Sequence, residues 1–222
     1  MNNSKKKELS GKKALEYVQS DQVVGIGTGS TVKYFIEGLK KFKENVSVVP
    51  TSEQAHNLAR NIDLQIIKDP DHVDIAVDGA DQVDSNLNLI KGRGGAMVQE
   101  KIVDYGADRF FVVVDDSKMV KKLGGEKPVP VEVISRSWRL VKRKLESLKH
   151  VKEVNLRIAK MKDGPVVTDN GNFILDIYFN IIKKPKSLEI KINEIPGVVD
   201  NGIFTGDFEV IVGKEESVEV LR

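Results

Sequence analysis

Two periods of hydrophobicity alternate along residues 1–127. Residues 7–18 place Leu9, Ala14, Leu15 and Val18 at helical spacing. Val23-Val24-Gly25-Ile26 is then a short apolar run, as in a strand buried on both faces. The pattern repeats with a helix over 32–39, a β-branched strand over 46–49 stopped by Pro50, and a helix over 52–61 opened by a capping serine. Strands over 65–67 and 74–77, a helix over 95–105 and a strand over 109–114 complete the series. Buried strands alternating with helices predict a parallel sheet covered on both faces.

The rhythm changes at Lys127-Pro128-Val129-Pro130, where the prolines impose a stiff extended crossing. Beyond it a strand over 131–134 precedes a helix over 137–148 carrying Trp138, Leu140, Val141, Leu145 and Leu148. Val154, Leu156 and Ile158 alternate as a half-exposed strand does. Asp169-Asn170-Gly171-Asn172 signals a turn before a strand over 173–179, and a short helix over 187–193 ends near Pro196-Gly197. Strand-like runs over 208–212 and 218–221 close the chain. The expected organisation is an α/β domain of residues 1–127 plus 199–222, with a small α+β unit, 128–198, inserted before the return to the main sheet.

Composition narrows the chemistry. Lys and Arg number 35 against 33 Asp and Glu, a net charge of +2, so the basic excess of a dedicated nucleic-acid binder is missing. With no cysteine there is no disulfide, thiolate metal site or cysteine nucleophile. The three histidines, His56, His72 and His150, are scattered and read as structural or surface residues. No apolar run approaches the roughly 18 residues of a membrane span. The N-terminus, residues 1–13, is lysine-rich and lacks the apolar core of a signal peptide, so the expected compartment is the cytoplasm.

Gly25-Ile26-Gly27-Thr28-Gly29-Ser30-Thr31 joins a strand to a helix. At the carboxyl end of a parallel strand such a turn presents backbone N–H groups to an anion, and Thr28, Ser30 and Thr31 add hydroxyls. No lysine follows at the Walker A position, and Ser30 replaces the third glycine of a dinucleotide fingerprint, so a small phosphate monoester fits better than NAD. Asp78-Gly79-Ala80-Asp81 follows another strand and puts carboxylates at the same sheet edge. Lys91-Gly92-Arg93-Gly94-Gly95-Ala96 is a second glycine-rich loop with two cationic side chains. Glu100 then interrupts a small apolar stripe of Ala96, Val103 and Ala107, the setting of a general base tuned by desolvation. Lys118, after the strand ending at Val114, is placed to reach a phosphate.

These motifs, together with Lys127-Pro128-Val129-Pro130-Val131-Glu132-Val133, Val167-Thr168-Asp169-Asn170-Gly171-Asn172 and Ile195-Pro196-Gly197-Val198, resemble the type A ribose-5-phosphate isomerase family in order and spacing. Arg93 departs from it, standing where the family often has glycine. The resemblance implies a Rossmann-like α/β domain with a smaller α+β domain, a homodimer or homotetramer, and isomerisation of ribose 5-phosphate and ribulose 5-phosphate with no metal or organic cofactor. It implies Glu100 as proton shuttle, Asp81 with Asp78 on hydroxyl protons and ring opening, and Lys91 with the amides of Gly92, Arg93 and Gly94 on the enediolate oxygens. Thr28, Gly29, Ser30, Thr31, Gly79 and Ala80 would surround the substrate, with Lys118 and Lys7 on its phosphate. The rivals are an amino-sugar-phosphate deaminase, a CoA-transferase subunit and a sugar-phosphate sensor. A deaminase favours a histidine that no motif here supplies, and the stretch before Gly25 is too short for a DNA-binding module.

Overall fold

The structure is a computed structural model and describes residues 3–222. The chain forms two compact units. Unit 1 is Met1–Ala80, Gln99–Met119 and Asp207–Arg222; unit 2 is Asp81–Val98 and Val120–Gly206.

Unit 1 is built on a seven-stranded sheet of order β14-β13-β7-β4-β1-β2-β3. Its strands are β1 (Gln22–Ile26), β2 (Val46–Pro50), β3 (Gln65–Ile66), β4 (Val73–Asp78), β7 (Ala107–Asp115), β13 (Glu209–Gly213) and β14 (Val218–Leu221). All neighbours pair in parallel except β13 and β14. The apolar runs of β1, β4 and β7 therefore sit inside the sheet, as their unbroken hydrophobicity predicts. One face packs on α1 (Asn3–Ala14), α2 (Val32–Gly38) and α3 (Glu53–Arg60), where Ala14, Phe35, Ile36, Ala55 and Ala59 meet Val24, Ile26, Val48, Ile75 and Phe111. Ser52 caps α3 by accepting from the Ala55 amide at 3.1 Å, as its position before the periodic run predicts. Gly25 and Ala76 point to the other face by strand alternation. There α4 (Met97–Gly106) comes down so closely that a Cβ on Gly25 would stand 2.5 Å from Val103 Cγ1.

Unit 2 holds a four-stranded antiparallel sheet of order β11-β8-β10-β9: β8 (Val129–Val133), β9 (Val151–Leu156), β10 (Phe173–Phe179) and β11 (Val198–Asn201). Val129, Val131, Val133, Leu175, Ile177 and Phe179 face a core shared with α5 (Trp138–Glu146) and α6 (Pro185–Asn193). A small sheet, β12-β6-β5, pairs Ile203–Phe204 with Leu89–Ile90 and then Gln82–Val83. These two-residue strands are too short to leave a period in the sequence. They join residues 81–98 and 202–206 to unit 2, where β11 already holds 199–201 on β8, whereas the expected boundaries stood at 127/128 and 198/199. The amide of Val120 donating to Val83 O and the two bonds between Gln82 and Gly124 tie 120–124 to the same unit.

Candidate active site

In unit 1, strand order locates the first group of candidates. From β1 the chain builds outward through β2 and β3, then returns to the other side of β1 as β4. Ligands of open parallel sheets bind at the carboxyl ends of the strands flanking such a reversal. The loop 27–31 leaves β1 there and Asp78-Gly79-Ala80 leaves β4. The 3₁₀ turn Asp116–Lys118 follows β7, the neighbour of β4, so Lys118 lies at the same edge.

Asp78 is buried, and its Oδ1 accepts from the amides of Thr28 at 3.0 Å and Gly79 at 2.6 Å. The carboxylate occupies the space that a Cβ on residue 27 would need, so only glycine lets the two loops be joined. Thr28 Oγ1 donates to Ser52 Oγ at 2.7 Å, which carries the network to the end of β2. Thr51 and Ser52 are hydroxyl residues of this edge that sequence reading missed; their place directly after β2 was the available signal. Lys7 reaches the loop from α1, with Nζ 2.9 Å from Ser30 Oγ. Its neighbour Lys6 is committed elsewhere. A hydrogen bond to Asp116 at 2.8 Å holds the Lys6 ammonium above its ordinary pKa.

Glu100 stands in the first turn of α4, 4% exposed. Its carboxylate is out of water, as the apolar stripe around it predicts, and the positive end of the helix dipole favours its charge. Asp104, four residues on along the same face, is 2% exposed. Sequence reading did not single out this second buried carboxylate, although the spacing was visible.

In unit 2 the candidates are ordered by the small sheet. Asp81 N donates to Ile90 O at 2.8 Å and Lys91 N to Gly202 O at 2.9 Å. Ile90 and Ile203 enter the core, so Leu89, Lys91 and Phe204 share the other face. Lys91 is 1% exposed and its Nζ lies 5.3 Å from the centre of the Phe204 ring, close enough for the ring face to stabilise the ammonium. Phe204 has no motif around it in the sequence; the pairing of β12 with β6 brings it there. Asp81 Oδ2 accepts from the Arg93 amide at 3.0 Å, while the Arg93 side chain is exposed, its Nε 3.8 Å from Asp81 Oδ1.

Among the described residues one group has the ligand spacing of a cation site: His72, Asp74 and Asp108. It lies at the amino ends of β4 and β7, the edge of the sheet away from the glycine-rich loop. His72 is exposed, as expected, and the other two histidines are not near it in this group.

The family model described as Ribose 5-phosphate isomerase A (phosphoriboisomerase A) matches residues 47–217. A ribose-5-phosphate isomerase A of Thermococcus kodakarensis is 49% identical, covering 99% of this chain and 98% of its own length. That of Pyrococcus horikoshii is 47% identical, with 100% of both chains covered. The solved ribose 5-phosphate isomerase A of Methanocaldococcus jannaschii superposes with a TM-score of 0.95 at 45% identity over 100% of both chains. A D-ribose-5-phosphate isomerase solved in complex with phospho-erythronic acid also gives 0.95 at 45% identity, over 100% of this chain and 99% of that one.

Proposed function

This chain belongs to the ribose 5-phosphate isomerase A family, and on that premise we propose that Glu100 carries the proton between C1 and C2 of its substrate. The chain is an aldose–ketose isomerase that interconverts D-ribose 5-phosphate and D-ribulose 5-phosphate, a step of pentose phosphate metabolism. Such a reaction needs one base that reaches both carbons, donors that hold charge on the two oxygens, and a phosphate anchor. Glu100 takes the C2 proton of the open-chain aldose. The C–H electrons form the C1=C2 bond and the carbonyl electrons move to O1. The proton then returns to C1 as C2=O forms, while Asp81 takes the O2 proton and delivers a proton to O1, which becomes the C1 hydroxyl.

Lys91, with the amides of Gly92 and Gly94, stabilises the negative charge on O1 and O2. Asp81 handles the hydroxyl protons and the opening of the furanose ring. Asp78, with Oδ1 already on two amides, orders the Thr28–Thr31 and Gly79–Ala80 turns. Those turns and Lys7 hold the sugar phosphate, and Lys118 binds its phosphate. The observation that carries this reading is Glu100 itself, a carboxylate buried on a helix against β1, whose carboxyl end opens the glycine-rich loop. Phospho-erythronic acid, bound by a relative, supports it, because its planar carboxylate resembles an enediolate.

No metal takes part in this scheme. Purified protein treated with EDTA is expected to isomerise ribose 5-phosphate at its full rate in a coupled assay. Complete loss, restored by a divalent ion, would overturn the scheme and direct attention to His72, Asp74 and Asp108. A second expectation concerns the phosphate. Lys118→Ala removes a charge-assisted contact remote from the reacting carbons, which weakens binding by about 1.5–3 kcal/mol. Because much of that contact is equal in ground and transition states, KM should rise more than kcat falls. An unchanged KM removes Lys118 from the phosphate site.

We propose also that the working form is a homodimer or homotetramer in the cytoplasm. No helix of the described residues is long and apolar enough to cross a membrane.

A further inference from the structure

Arg157, just beyond β9, makes two kinds of contact inside unit 2. Its Nε and Nη2 grip both oxygens of Asp176 on β10, Nε at 2.8 Å. Its Nη1 turns toward the loop after β6 and donates to the carbonyl oxygens of Arg93 at 2.9 Å and Gly92 at 3.3 Å. The two side chains are 15% and 14% exposed, so the ion pair is mostly shielded from water. The amide of Arg93 in turn donates to Asp81 Oδ2. A continuous line of hydrogen bonds therefore runs from Asp176 through Arg157 and the Gly92–Arg93 backbone to Asp81. Lys91 is the residue covalently next to that backbone.

The loop needs such a tie. Lys91 is anchored on its amide side by Gly202, but the next residues, with Gly92, Gly94 and Gly95, leave the small sheet and carry little conformational restraint of their own. The guanidinium suits the task because it is a planar fork. Two N–H groups face one carboxylate while the remaining nitrogen points onward to carbonyls. A lysine ammonium, a single point of charge, cannot do both.

Resting on the proposed role of Lys91, we propose that Arg157, held by Asp176, is a positioning residue of the isomerase that fixes the loop on which Lys91 is set. A misplacement on the order of 1 Å at a catalytic group costs about 100-fold in rate. Arg157→Lys keeps the charge and loses the fork, so kcat should fall about 10–100-fold while KM stays close to wild type. Asp176→Asn should act in the same direction. Circular dichroism and the thermal midpoint report whether each variant folds.

The deciding measurement is a cycle with Lys91→Met. If Arg157 acts through the loop, Arg157→Lys changes kcat by less than about threefold once Lys91 is gone. Equal fold losses in both backgrounds, or wild-type kcat in Arg157→Lys, overturn the proposal. Hydrogen exchange of residues 91–95 separates it from the reading beneath it. Normal turnover in Lys91→Met defeats the Lys91 role alone. Faster exchange of 91–95 in a folded Arg157→Lys variant then still supports the clamp, and unchanged exchange overturns it.

Discussion

The Glu100→Gln variant is expected to fold, to bind ribose 5-phosphate and to turn it over about 10²–10⁴ times more slowly. Glutamine keeps the shape of a side chain that is 4% exposed, so the packing of α4 against Gly25 and Ala76 survives. What it lacks is the basicity to accept a proton from carbon. The loss belongs in kcat, because the base acts only as the C–H bond breaks. Exchange of the C2 proton with solvent deuterium should vanish in parallel. Asp104 is the rival on the same helix face, 2% exposed and one turn further along. A turn is about 5.4 Å, too far for a group to substitute without moving the substrate. Near-normal turnover in Glu100→Gln would make Glu100 a helix residue and send the search to Asp104, Asp78 or Asp81.

Lys91→Met should lose about 10²–10³-fold in kcat while remaining folded. Methionine is similar in length, fills the same buried space and still packs on Phe204. Circular dichroism and the thermal midpoint separate this kinetic loss from a general packing defect. Turnover within about threefold of wild type, at the precision with which distant changes ordinarily add, would remove Lys91 from the charge-stabilising role.

Glu100 and Lys91 differ in how they could be read. Glu100 breaks an apolar stripe on a helix, and a periodic stripe is a local property. Burial of Lys91 is not local. It depends on Gly202 and Phe204, more than 100 residues away in the chain, arriving beside Leu89 and Ile90. The Arg157 tie is of the same kind, since β9, β10 and the loop after β6 have no sequence relation that announces their meeting.

By itself the sequence determined which segments become helices and strands of unit 1, because buried parallel strands and amphipathic helices write their periods directly into the chain. It determined the glycine-rich turn, the acidic turn and the buried glutamate for the same reason: each is set by neighbours within a few residues. Tertiary structure alone decided strand order, and with it the reversal between β1 and β4 that puts Gly27 against Asp78. It also decided the small sheet of β5, β6 and β12, whose strands of two residues have no period to read and exist only because each supplies the other's backbone partners.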